Sequence, residues 1–178
     1  PTNSLILLEG VSDEGNLLKR KLSYQRVATS LGLSEQHEEF APAHGRPRPA
    51  DVDVGQFSKK SIEFLKLATL IHSQGLTADV FPRLIQQSQD PLLAKELWDD
   101  LLVRRNEHLL KEIQTELFRS DTIVVPWGAA HMRGIAEEIK KAGFQPTGEQ
   151  EYTVLNYRTI WNGLRSRAPA SGKAGGMN

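Results

Sequence analysis

"VVPWGAAHMRGIAEEIKKAGF" occupies residues 124–144 and decides how the rest of the chain is read. An apolar run meets a turn of the smallest residues, and a helical pattern follows. Together with the residues before it, the run predicts a strand over 121–127, and Gly143 marks the end of the helix. A strand that passes through a Gly-rich turn into a helix is half of a βα unit. In open α/β sheets, ligands bind at the carboxyl ends of strands. His131 has that address, at or near a helix N-terminus, where the dipole disfavours added positive charge. Its imidazole is expected to stay neutral, the form that binds a metal or accepts a proton. Gly128 allows a tight turn, and Ala129 and Ala130 keep the backbone accessible to a ligand. The plainer alternative is a histidine that caps the helix or fills a gap.

Working outward, "SLILLEGV" (4–11) is a short, nearly continuous apolar run and reads as a buried strand of a parallel sheet. Ser12, Asp13 and Glu14 then predict the start of a helix that Gly32 caps. Residues 34–57 hold three of the nine prolines and read as a long loop, with a short extended piece at "ADVDV" (50–54). A second helix is expected over 58–75, a shorter one around 79–87, and a long one from Asp90-Pro91 to about 118. Leu93, Leu97, Leu101, Leu109, Ile113 and Leu117 mark the apolar side of the last. "EYTVLNY" (151–157) predicts a third strand, and 165–178 a disordered tail or linker. The expected fold class is α/β: a small, mainly parallel sheet with a large helical insertion between the first and second strands, in one domain over 1–160.

The composition narrows the function classes. Lys plus Arg and Asp plus Glu are 22 each, which argues against nucleic acid as a main partner. There is no cysteine, so disulfides and thiolate zinc sites are excluded. No apolar run approaches the roughly 18 residues that span a bilayer. The compartment and the oligomeric state are not readable.

Three further places carry chemistry. Glu9 ends the first strand, where a carboxylate can ligate a metal, act as a general base or orient a histidine. Arg105 and Asn106 interrupt the leucines of the long helix; Arg105 suits a substrate carboxylate or an oxyanion. Spacing alone reads Arg105 and His108 as parts of a solvated helix face. "HEEFA" (37–41) lacks the second histidine of H-E-x-x-H and is not a zincin motif. Asp51 and Asp53 have the spacing that puts two carboxylates on one side of an extended segment, usually an exposed one.

"LLEGV" at a strand end, "RRNEHLL" in a late helix and the opening stretch together resemble the TraB/GumN family, which includes the Tiki-like proteins. The opening stretch is the most specific, being similar to that family's second G-x-x-H motif, with Gly128 and His131 in the motif positions. The similarity runs from about Leu5 to Tyr157. It implies a metal-dependent hydrolase-like fold and, in Tiki-like members, peptidase activity with a divalent metal. Glu9, Arg105, Asn106, Gly128 and His131 match the family's motif positions. The family's first G-x-x-H precedes the glutamate strand, and this sequence starts at that strand. It reads either as a chain cut short at its N-terminus, which the strand-like start at Leu5 supports, or as one that has lost half its site. One His and one Glu fall short of the three protein ligands of a catalytic zinc.

The resulting expectation is a metal-dependent hydrolase of peptide bonds or a small-molecule substrate. Glu9 and His131 would bind Mn²⁺, Co²⁺ or Zn²⁺ or activate its water. Arg105 would hold the oxyanion, and Asn106 and Gly128 would assist in binding substrate. The rival is a regulatory protein that binds a peptide or haem in the same cleft without turnover.

Overall fold

Residues 3–19 and 45–150, with positions 29, 32 and 34, are described in this computed structural model. The chain divides into a compact unit, Pro1–Phe144, and a second, Gln145–Asn178. Residues 145–150 carry no regular structure, and the strand expected at 151–157 and the tail at 165–178 lie outside the described residues, as does "HEEFA".

Among the described residues, the sheet of the first unit has three parallel strands in the order β2-β1-β3. β1 (Ser4–Leu8) is central, and its Leu5, Ile6 and Leu7 are all buried. A strand covered on both faces needs an unbroken apolar run, which "LIL" supplies. β3 (Thr122–Val124) pairs with β1 through Leu5 and Ile123, and is shorter than the predicted 121–127. The α/β class with a helical insertion between β1 and β3 is as expected.

β2 (Arg46–Pro49) is a strand where the sequence predicts loop. Its "RPRP" is a poor sequence for the middle of a ladder, since proline has no N–H to donate. Parity resolves this. Ala50 donates its N–H to Leu8 O, and Val54 donates to Ser12 O. The even-numbered residues therefore point their N–H groups at β1 and its continuation. Pro47 and Pro49 have the opposite parity, so their missing donors fall on the side away from β1.

The pairing continues past both strands, with Ser12 bonded to Val52 and bridged to Asp53. That pairing overturns the start of the helix expected at Ser12, whose stretch over 20–28 lies outside the described residues. Residues 12–19 form turns instead, and Asn16 and Lys19 take positive φ. The polar residues read as a helix start serve the turn: Asp13 accepts the N–H groups of Leu17 and Leu18. Gly32 does adopt φ +67° and donates to Thr29 O, as a helix terminator would.

After a 3₁₀ turn (Val54–Gln56), α1 (Lys59–Gln74) is capped by the Ser58 hydroxyl, which accepts from Ser61 N–H, and Gly75 ends it at φ +82°. α2 (Val80–Ser88) carries Pro82 in its first turn. The predicted long helix is present but not uniform. α3 (Leu93–Trp98) runs into a π-helical turn (Asp99–Arg104) and then into α4 (Arg105–Glu116). Its apolar residues repeat every four positions. An α-helix turns about 100° per residue, so such a repeat drifts about 40° at each step. The wider π turn takes drift back, and Leu93, Leu109 and Ile113 all end up buried. Asp100, in the π turn, is buried and accepts from Ser58 N–H and Arg104 Nε. Burial pushes its carboxyl up, but donors from Ser58, Ser61 and Arg104 outweigh this and hold it below the ordinary carboxylate range.

α5 (Ala129–Lys141) starts directly after the Gly128 cap. One core cluster lies between the sheet and the α4–α5 pair, formed by Leu5, Leu7, Ala50, Leu109, Ile113, Trp127 and Ile135. A second, around Val52, Val54 and Phe57, packs against Ile62, Leu65 and Leu101.

Candidate functional site

Each of the three parallel strands delivers a polar group just beyond its carboxyl end. Glu9 follows β1, Asp51 follows β2, and Gly128 and His131 follow β3. The chain leaves β1 for β2 on one side and later reaches β3 on the other. A crevice at such a reversal is where open α/β sheets place their ligands. All five residues carried over from the resemblance converge here, and Asp51 joins them.

Arg105 is the hub. Its Nε donates to Asp51 Oδ1 at 3.0 Å, and its Nη2 donates to Asp51 Oδ2 at 2.6 Å and to Glu9 Oε1 at 2.7 Å. Its Nη1 donates to His131 Nε2 at 3.1 Å and to Leu101 O at 3.2 Å. A guanidinium has five N–H donors, and all are engaged within the protein. Its carbon lies 5.3 Å from the centre of the Trp127 ring. Burial opposes the charge, but Asp51 and Glu9 outweigh it and raise the pKa of Arg105. The reading of Arg105 as solvated helix face is therefore corrected: the residue is 9% exposed. It stands four positions after Leu101 and four before Leu109, in the buried stripe itself.

His131 is 4% exposed and held on every side. Trp127 meets its ring edge-on at 5.2 Å, and the indole N–H is tied to Leu7 O at 3.0 Å. Asn106 Oδ1 lies 2.7 Å from Nδ1. Arginine can only donate, so Nε2 must accept, and the ring proton sits on Nδ1 facing Asn106. Burial first, and the Arg105 charge second, lower the pKa of His131, while Glu9 and Asp51 oppose them. The neutral imidazole expected from the helix end is thus favoured, chiefly by desolvation.

Glu9 is the most open charged member, its side chain 26% exposed. Its Oε2 accepts Gly128 N–H at 2.6 Å, so the carboxylate caps the start of α5. Asp51 is closed off, with a side chain 0% exposed. The spacing of Asp51 and Asp53 predicts an exposed pair, and the burial of Asp51 corrects that expectation. Both carboxylates do lie on one side, reaching toward the continuation of β1. Asp51 accepts Gly10 N–H, and Asp53 accepts the Ser12 hydroxyl and Glu14 N–H. The two carboxylates and one guanidinium of the site leave a negative charge uncompensated.

Glu9 Oε1 and His131 Nε2 are 3.6 Å apart, and both are already bonded to the Arg105 guanidinium. Among the described residues no group of three or more His, Cys, Asp or Glu is placed to hold a metal ion. As arranged, these residues do not fit a divalent metal. An ion at this point needs a further donor and an Arg105 moved off Nε2.

No protein-family model, curated protein or solved structure matches the chain. No helix among the described residues is long and apolar enough to cross a membrane.

Proposed function

We propose that the chain carries the site of a hydrolase of the TraB/GumN, Tiki-like type, acting on peptide bonds. The observation that supports this reading is the convergence of Glu9, Arg105 and His131, from three distant segments, at the carboxyl ends of parallel strands. Glu9 is the general base, since it is the carboxylate that water can reach. It takes a proton from the attacking water and returns it to the leaving amine. Arg105 and Gly128 N–H hold that carboxylate in one orientation. His131, neutral and fixed by Asn106, completes the wall of the site beside Arg105. The divalent ion implied by the resemblance (Mn²⁺, Co²⁺ or Zn²⁺) joins this reading only with a donor beyond Glu9 and His131.

One observation favours the second reading, a regulatory protein that binds a peptide or haem without turnover. Every Arg105 N–H is satisfied internally, which leaves no free fork for a substrate oxyanion. Assays on peptide libraries, with and without each metal, separate the two. Turnover by the wild type that Glu9→Gln and His131→Ala abolish supports the hydrolase. Turnover unchanged in both variants removes these residues from the chemistry. Saturable binding with no turnover under any metal favours the second reading.

A further inference from the structure

We propose that Asp51 is the positioning residue of this site: its buried carboxylate seats the Arg105 guanidinium and so decides what faces His131 Nε2. This rests on the reading that Glu9 and His131 are the working pair. Asp51 grips the guanidinium side-on, through Nε and Nη2, the geometry that fixes both position and plane. The carboxylate is itself fixed, because it accepts Gly10 N–H at 3.0 Å and Val52 N–H at 2.9 Å. The Gly10 bond also ties down the backbone next to Glu9. With this edge of Arg105 held, the other edge has nowhere to go but His131 and Leu101 O.

Glu9 cannot do the same work. It offers Arg105 a single oxygen, its other oxygen being taken by Gly128 N–H, and it is partly open to water. Without the Asp51 charge, the guanidinium turns toward Glu9 as its remaining carboxylate. His131 Nε2 then loses its donor, and the ring proton is no longer confined to Nδ1. Asp51 touches neither His131 nor the open side of the site, so its action passes through Arg105.

The test is the state of the His131 ring in the ¹⁵N-labelled full chain, read by long-range ¹H–¹⁵N correlation. It needs no turnover, so failure of the hydrolase reading and failure of this proposal stay distinguishable. In the wild type Nδ1 should be protonated and Nε2 a hydrogen-bonded acceptor. Asp51→Asn should shift the Nε2 signal and mix the tautomers; an unchanged ring overturns the proposal. Asp53→Asn is the control, as it loses bonds to Ser12, Glu14 and Gly55 in the same segment without touching Arg105. It should leave the ring signals in place, and a shift equal to that of Asp51→Asn also overturns the proposal. Should Asp51→Asn fail to fold, the wild-type Arg105 signals decide. Distinct, slowly exchanging Nη protons are expected, and a freely rotating guanidinium overturns it.

Discussion

Glu9 and Gly128 stand 119 positions apart and meet at 2.6 Å, carboxylate oxygen to backbone N–H. The contact joins the ends of β1 and β3 and sets a negative charge at the start of α5. A carboxylate so placed is stabilising, because the first N–H groups of a helix have no partner of their own. Glu9→Ala removes this charge and the Arg105 bond together. The helix-end term is worth about 0.3–1 kcal/mol. Denaturant titration should therefore find a loss of about 1 kcal/mol, with Glu9→Gln losing less.

Protonation of His131 should destabilise the fold. Its folded pKa lies below the ordinary 6.5 because burial and Arg105 disfavour the charged ring. Below pH 6.5 the unfolded chain then binds more protons at this residue than the folded one. The contribution is fully present above that pH and is lost as pH falls toward the folded value. His131→Gln should lack this component. Denaturant midpoints of both proteins over a pH series check it; a wild-type slope no steeper than the variant's would contradict a depressed His131.

Leu109→Ala should cost about 2–5 kcal/mol, the range for a buried leucine whose cavity closes only in part. Leu109 is 0% exposed and belongs to the cluster between the sheet and the α4–α5 pair. Trp98→Ala serves as the contrast. Trp98 is 62% exposed, and its loss should stay within about 0.5 kcal/mol. Equal losses in the two variants would mean that the apolar stripe of α4 does not face the core.

Gly134→Ala should separate stability from site geometry. Alanine in a helix interior gains about 1 kcal/mol over glycine. A Cβ at Gly134, however, meets Asn106 Nδ2 at 2.9 Å, so the amide must move. That amide holds His131 Nδ1. The expected outcome is a melting temperature at or above the wild type's with a displaced His131 Nδ1–H resonance. An unmoved resonance would show that Asn106 does not set the ring.

How much of this was legible varies by residue. β1, α1 and the turn into α5 could be read because their signals are local: an unbroken apolar run, Ser58 and Gly75 at the helix ends, Gly128 before a periodic segment. β2 was not legible, since two prolines argue against a strand until the partner is known. Only the parity of pairing with β1 reveals that Pro47 and Pro49 owe no donor to the ladder. The start expected at Ser12 was misplaced for the opposite reason, as a good local capping residue was captured by long-range pairing with Val52 and Asp53.

The site divides in the same way. By itself, the sequence determined that Glu9 would follow a buried parallel strand and that His131 would sit at a strand-to-helix turn, because an unbroken apolar run and a Gly-rich turn before a periodic segment are local signals. The position of Arg105 between two stripe leucines was visible too, but solvated and buried arginines look alike until a partner is found. Only tertiary structure supplied that partner. Asp51 becomes a buried carboxylate when β2 docks beside β1, and a buried guanidinium is tolerable only against such a charge. What the residues are was local information; what neutralises what depended on which distant strand ends meet.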